Sequence, residues 1–430
     1  MRLRNWRQSD GWTYRWLAPF GEAQLWAFFR KIYLHNIHGV PSDRPALLAV
    51  NHPTAFVDPI FLTSFIDPPV YNMTRGDVFQ KAWARRLMLS INMFPVYRKR
   101  DGYSERDRNN EVFEFCYQKL RERRTVVIYV EGEHHLDKRV RPPQKGIARI
   151  AFGAMERHGL DDLEIIPVGV NYHYGDRPRD VAMVNVGQPI LVKPYFDEAK
   201  NAPGAAMSRL LADIENGLKI NCLHLAHEGD DELAEQLLAL HRSDHPEPLL
   251  PTVLHSNAPF VAEKQLLENL NRLPETEKSD LKKQTGDYFA ALKKAGLEDF
   301  ALRQPGWGGV GWTTFLVLFV PVFLAGWLTS RPVAWLARWA VSKVKKREFF
   351  GSVLMGAGFV VGMIYYPFLL LLAALSGEVA WVGAALLLPL LGWFSIIYED
   401  VWLRWRAVRR AGRSGERAKL LALRAGIVLP

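Results

Sequence analysis

Three stretches in the last third of the chain contain no Lys, Arg, Asp or Glu: VGWTTFLVLFVPVFLAGWLT (310–329), SVLMGAGFVVGMIYYPFLLLLAAL (352–375) and VAWVGAALLLPLLGWFSIIY (379–398). Each is about long enough to cross a hydrocarbon core of roughly 30 Å as a helix. Within that core a chain must satisfy its own backbone N–H and C=O groups, which a helix does. The mean hydropathy is near zero, as in an ordinary soluble protein. That average hides a break near residue 305, with mixed, charged sequence before it and long apolar runs after it.

The links between the runs set their orientation. Residues 331–347 hold Arg331, Arg338, Lys343, Lys345, Lys346 and Arg347, and the sequence after 404 is again basic, whereas the Ser376-Gly377-Glu378 link has no cation. The positive-inside rule puts both basic segments in the cytoplasm and the short link outside. The N-terminal sequence MRLRNWRQSDGWTYRW has no apolar core of a secretory signal, so the N-terminal part is expected to stay cytoplasmic. The first run must then enter and leave on one side, and Pro321 in its middle can bend it. The expected arrangement is two full spans and one re-entrant helix, with three spans as the rival. This describes an integral membrane protein (inner or plasma membrane if bacterial) with its catalytic domain on the cytoplasmic face.

Net charge is +10 and Trp occurs 14 times, which suits an anionic membrane surface with interfacial aromatics. No nucleic-acid-binding module is recognisable, so membrane lipids are the expected partners and nucleic acid is not. Cys116 and Cys222 are the only cysteines, too few for a disulfide framework or a cysteine metal site.

Ahead of the membrane segment, residues 15–34 (RWLAPFGEAQLWAFFRKIYL) are aromatic and flanked by cations, and read as an interfacial or a core-covering helix within an N-terminal region 1–40. From 41 to 200, short β-rich runs at 46–51, 70–74, 125–130, 164–172 and 181–187 alternate with helical composition at 77–92, 106–123 and 146–159. That alternation predicts an α/β domain with a mixed, mostly parallel sheet. Residues 201–305 are polar and helix-prone, a helical extension without evident chemistry. A membrane domain at 306–400 and a basic cytoplasmic tail at 401–430 complete the chain.

The chemistry concentrates at Asn51-His52-Pro53-Thr54-Ala55-Phe56-Val57-Asp58-Pro59, directly after the strand ALLAVN. Ligands of α/β sheets bind at the carboxyl ends of strands. Asp58-Pro59 reads as a helix start, with Asp at the cap and Pro at the first helical position. A carboxylate near a histidine can hold one ring nitrogen protonated and leave the other to take a proton from an attacking hydroxyl. On spacing alone the same residues also describe an ordinary capped loop. Phe94-Pro95-Val96-Tyr97-Arg98-Lys99-Arg100-Asp101 places three successive cations after an apolar run, suited to a phosphate ester. Val130-Glu131-Gly132-Glu133-His134-His135 follows the strand TVVIYV, and Gly132 lets the backbone approach a ligand. Lys145-Gly146 opens a helix whose N-terminus can receive an anion, and Ile165-Ile166-Pro167-Val168-Gly169-Val170 is a buried strand with an internal Pro.

In this order the blocks resemble those of the glycerolipid acyltransferases, the family that includes lysophosphatidate and glycerol-3-phosphate acyltransferases. That family usually has four residues between its His and Asp. Here there are five, as in its glycerol-3-phosphate/dihydroxyacetone-phosphate branch, with Thr54 at a position usually Asn. Val130 stands where the third block usually has Pro, and His135 where it has Ser. The resemblance implies His52 as general base and Asp58 as its orienting carboxylate. It also implies Arg98 as the main acceptor-phosphate ligand with Lys99 and Arg100 as helpers. Glu131 and Gly132 would lie at the acceptor, Lys145 near its anion, and Pro167 on the acyl pocket wall. The donor would be acyl-CoA or acyl-carrier protein, and the acceptor glycerol 3-phosphate or a lysophospholipid. The thioester is already activated, so no cofactor is expected. Adjacent histidines rarely ligate one ion, so no metal is expected either. The rivals are a different acceptor and a catalytically silent lipid-binding scaffold, against which the presence of both His52 and Asp58 argues.

Overall fold

The computed structural model describes residues 12–96 and 105–430, in two compact units. The first takes in the chain up to Leu223, together with Thr252–Asn257 and Lys346–Ser352; the second holds the remainder.

The first unit is built from α1 (Trp12–Phe28), β1 (Lys31–His35), β2 (Ala46–Val50), α2 (Val57–Phe65), β3 (Val70–Arg75), α3 (Ala82–Ser90), β4 (Met93–Val96), α4 (Glu105–Arg121), β5 (Thr125–Tyr129), α5 (Gly146–His158), β6 (Glu164–Tyr172), β7 (Val181–Val186), β8 (Ile190–Leu191), α6 (Lys193–Ala199) and α7 (Pro203–Asn221). In the second unit α8 (Asp231–Asp244) precedes the short strand β9 (Val253–Leu254), which belongs to the first. The strands form one sheet in the order β4-β3-β5-β2-β6-β7-β1-β9, with β8 beside β6. Pairing is parallel except for β6 with β7 and with β8. This is the expected mixed, mostly parallel α/β sheet.

All five residues of β2 are buried, as in a parallel strand covered on both faces. Leu47 and Ala49 join a core with Cys116 and Leu120 of α4, Ile147 and Ala151 of α5, and Leu210, Ile214 and Leu218 of α7. Cys116 and Cys222 are both buried and form no disulfide, and burial pushes the Cys116 thiol up.

Three elements differ from expectation. The helix anticipated over 15–34 ends at Phe28, and Lys31–His35 is a strand beside β7. Ile32, Tyr33 and Leu34 are all buried there, a demand that a one-faced helix does not meet. Within α1, Tyr14, Leu25 and Phe28 are buried while Trp16, Phe20 and Trp26 are exposed, so one face covers the sheet unit and the other carries aromatics outward. Helix α7 lies beyond residue 200 yet packs on the sheet: Gly217 meets Pro167 so closely that a Cβ would stand 2.4 Å from its Cγ. The sheet unit therefore runs past the expected boundary at 200, to Leu223.

The second unit continues with α9 (Ala258–Arg272), α10 (Glu275–Ala295), α11 (Asp299–Arg303), α12 (Val310–Leu318), α13 (Val320–Val341), α14 (Phe350–Leu375, whose first residues count with the first unit), α15 (Val379–Gly412) and α16 (Arg417–Ala425). Among the described residues, two helices are long and apolar enough to cross a membrane, Arg347–Leu375 and Val379–Gly412. The first apolar run is broken at Phe319, where α12 and α13 meet at 58°. Pro321 cannot donate a backbone hydrogen bond, and the end of α12 at Leu318 leaves the carbonyls of its last turn without helical partners. Tyr398 donates to one of them, the Leu316 carbonyl, at 2.6 Å, so the break is satisfied by protein as apolar surroundings require. The 331–347 link is helical as far as Val341.

Candidate active site

The site grows from the carboxyl ends of two adjacent parallel strands. Val50 of β2 is in register with Tyr129 of β5, so His52 and Glu131, two residues further on, emerge at the same end of the sheet. Asn51 fixes the start of the loop. Its Nδ2 donates to the Val170 carbonyl at 2.9 Å and its Oδ1 accepts from the Val170 N–H at 2.7 Å, a side-chain rung that prolongs the β2–β6 ladder.

His52 then turns inward, with Nδ1 2.7 Å from Asp58 Oδ2. Asp58 has no exposed surface, and a buried carboxylate must find donors. It has three more: the Thr54 N–H at 3.0 Å, Thr54 Oγ1 at 2.7 Å and Tyr172 Oη at 2.6 Å. Burial and the Asp58 charge raise the Tyr172 phenol well above its usual range, so it remains a donor. An ionised carboxylate carries no proton, so Nδ1 supplies the one they share. Nε2 keeps its lone pair and has no hydrogen-bond partner among the described residues. The imidazole is clamped between Tyr129, stacked at 3.9 Å between ring centres, and the edge of His134 at 4.1 Å. Helix α2 begins at Val57, so Asp58 lies in its first turn and not at the cap as expected. The Phe56 N–H at this helix start donates to Ser352 Oγ at 2.8 Å.

Glu131 is buried and accepts the Arg141 N–H at 3.1 Å. Burial raises its pKa against the opposing backbone hydrogen bonds from Arg141 and His52. Gly132 has φ +76°, a conformation other residues adopt only with strain, and it turns the chain away at the end of β5. The His135 N–H donates to the His52 carbonyl at 3.3 Å, while burial and then Arg141 lower the His135 imidazole pKa.

These groups line one cavity of about 910 Å³. His52, Glu131, Gly132, His134, His135 and Arg141 lie on its polar side with Thr74, Asp77, Glu133 and Gln144; Met73, Met93, Phe113, Ile128, Val130, Ile147, Ile150 and Phe349 are among its apolar lining. Such a space, apolar with a few convergent polar groups, is the usual form of a small-molecule site.

The remaining expected residues divide. Arg98, Lys99 and Arg100 lie outside the described residues; Val96, just before them, lines the cavity. Lys145 is exposed at the start of α5 and is not a lining residue, although its neighbours Gln144 and Gly146 are. Pro167 does not line this cavity. It faces Gly217 and lines a separate cleft beside β8 and α7, away from His52. Sequence reasoning missed Asn51, Tyr129, Thr54 and Tyr172 as site residues. Asn51 and Thr54, inside the motif, carried a signal; Tyr129 and Tyr172 carried none.

Residues 31–171 match the acyltransferase family model. Two proteins of Saccharomyces cerevisiae are similar to the chain. Glycerol-3-phosphate O-acyltransferase 2 is 27% identical over 47% of this chain and 27% of its own length. Glycerol-3-phosphate O-acyltransferase 1 is 24% identical over 60% of this chain and 36% of its own. The chain thus spans about a third or less of either relative. The crystal structure of a 1-acyl-sn-glycerophosphate acyltransferase from Thermotoga maritima aligns over 47% of this chain and 78% of that one, with 15% identity and a TM-score of 0.35. All four motif blocks fall inside the matched segment, and through residues 31–171 the chain is similar to the glycerolipid acyltransferase family.

Proposed function

We propose that this protein is a membrane-bound O-acyltransferase that moves a fatty acyl group from acyl-CoA or acyl-carrier protein to a hydroxyl of glycerol 3-phosphate, with lysophosphatidate as the alternative acceptor. The observation that carries this reading is the His52–Asp58 pair, with Nε2 of His52 unengaged on a cavity of about 910 Å³. The likeness to two yeast glycerol-3-phosphate O-acyltransferases favours glycerol 3-phosphate over the lysophospholipid.

In this mechanism Nε2 takes the proton of the acceptor hydroxyl as its oxygen attacks the thioester carbonyl. The tetrahedral oxyanion collapses, the C–S bond breaks, and His52 returns the proton to the departing thiolate. Asp58 stabilises the imidazolium that forms in between. Arg98, aided by Lys99 and Arg100, holds the acceptor phosphate, and the apolar side of the cavity takes the acyl chain. Helices α14 and α15 cross the membrane, α12 and α13 form a re-entrant pair, and the site faces the cytoplasm.

The test supplies membranes bearing the protein with labelled acyl-CoA and either glycerol 3-phosphate or lysophosphatidate. Wild type should acylate glycerol 3-phosphate, and His52→Ala should lose roughly 10²- to 10⁴-fold in rate. Transfer that survives His52→Ala would sink the mechanism, and no transfer to either acceptor would sink the enzymatic reading. Cysteine labelling tests topology: residues 331–347 reactive only from outside would refute the re-entrant pair.

A further inference from the structure

Helix α15 runs unbroken from its uncharged stretch into Trp402-Leu403-Arg404-Trp405-Arg406-Ala407-Val408-Arg409-Arg410. Near its end, Arg406, Arg409, Arg410 and Arg413 line a cavity of about 450 Å³ with Trp405 and Leu297. All four arginines are exposed. Among the described residues no carboxylate pairs with any of them, and none lines the cavity. They are held in place without being neutralised. Arg406 lies over the Trp402 ring at 4.7 Å and Arg409 over Trp405 at 5.7 Å. Arg410 sits so close to Gly296 that a Cβ there would stand 2.9 Å from Nη2. Like charges three and four residues apart cost a helix a few tenths of a kcal/mol per pair, and these arginines make four such pairs, offset in part by the negative end of the helix dipole.

We infer that this cavity binds the headgroup phosphate of an anionic phospholipid. Guanidinium forks match phosphate oxygens in charge and geometry. Position along the helix selects a lipid over a soluble phosphate. The uncharged stretch ends at Tyr398, so at 1.5 Å per residue Arg406 lies about 12 Å and Arg413 about 22 Å beyond it, with Trp402, Leu403 and Trp405 between as residues suited to the membrane interface. Helical side chains lean toward the N-terminus, which returns the guanidinium groups toward a headgroup layer roughly 5–8 Å thick. The inference is independent of acyl transfer and rests on α15 crossing the membrane. Retention of the wild-type chain in alkaline-washed membranes tests that premise separately.

The experiment titrates the full-length chain in non-ionic detergent with fluorescent phosphatidylglycerol or phosphatidylcholine, with inorganic phosphate as competitor. Wild type should prefer phosphatidylglycerol at least tenfold, and each of R406Q and R409Q should weaken it about fivefold, the share of one interfacial cation. R406Q/R409Q/R413Q should abolish the preference, while K283Q/K345Q/K419Q, which removes equal charge elsewhere, should retain it. The single variants keep the test open if the triple does not fold. Absence of a preference in wild type, equal loss in both triples, or displacement of the lipid by millimolar inorganic phosphate would each overturn the inference.

Discussion

Asp58 in one compact unit and Asp230 in the other are both buried and are satisfied in opposite ways. Asp58 meets neutral donors, the Thr54 N–H and hydroxyl and the Tyr172 phenol, besides the His52 ring. Asp230 meets cations, Lys278 at 2.8 Å and Lys282 at 2.9 Å, and Glu275 stands 3.1 Å from the first of them. Neutral donors satisfy lone pairs without consuming charge, so in the proposed reaction the Asp58 charge would be available to a His52 that becomes cationic. Lysines consume it, and the Asp230 cluster is left tying the start of α8 to α10. The lesson is that a buried carboxylate indicates chemistry when its partners are neutral and one of them opens onto a cavity.

The sharpest way to break this comparison is to remove each charge. Asp58→Asn keeps the shape but loses the charge and turns one acceptor into a donor facing Thr54, Tyr172 or His52. Acyl transfer should fall by roughly 10²-fold or more, with little change in thermal unfolding. A variant with near wild-type rate would place Asp58 with Asp230 as a structural residue. Asp230→Ala should instead act on stability, because it leaves Lys278, only 1% exposed, without its main partner. Breaking a buried pair costs about 3 kcal/mol, read as faster amide exchange across α8 and α10.

The pH dependence of the Asp230 cluster has a definite sign. Burial raises the Asp230 carboxyl, but hydrogen bonds from Lys278 and Lys282 outweigh it and hold the group below the usual carboxylate range. A depressed carboxylate gives stability that is present above its unfolded value, about 3.9, and lost as pH falls through the folded value. Exchange across α8 and α10 should therefore accelerate below about pH 4 in wild type and respond less in Asp230→Ala. A smaller effect is expected at Tyr172→Phe, which removes one of the neutral donors. At about 1 kcal/mol for a single hydrogen bond, kcat should fall roughly fivefold and the chain should stay folded. No change would show that Thr54 alone positions Asp58.

The sequence made part of this visible. The strand ALLAVN and the motif after it placed His52 and Asp58 at a strand end, because apolar runs and local spacing are local properties. The partners that define their chemistry are remote: Tyr172 is 114 residues from Asp58 and Val170 is 119 from Asn51. Only sheet register brings them together. The face taken by Pro167 was hidden for a related reason. Eight of the nine residues in EIIPVGVNY are buried, so polarity alternation cannot say which side chains face His52 and which face α7. The strand at Lys31–His35 was masked by aromatics at helical spacing, and β9 by having only two residues.

Glu131 offers the smallest expected effect and reverses the sign found for Asp230. Burial, the largest influence on it, raises its pKa, opposed by the backbone hydrogen bonds from Arg141 and His52. A carboxyl whose folded pKa lies above its unfolded one, about 4.3, binds protons more readily in the folded state. Stability then falls as pH rises through the interval between the two values, and stays level above it. Glu131→Gln keeps an acceptor for the Arg141 N–H and removes the titration. Amide exchange in the loop after β5 should therefore speed up in wild type as pH rises past about 4.3, after correction for intrinsic exchange, and remain level in Glu131→Gln. Parallel slopes in the two proteins would mean that the cavity wall reaches Glu131 with enough water to leave its charge undisturbed, and the contrast with Asp230 would then lie in geometry alone.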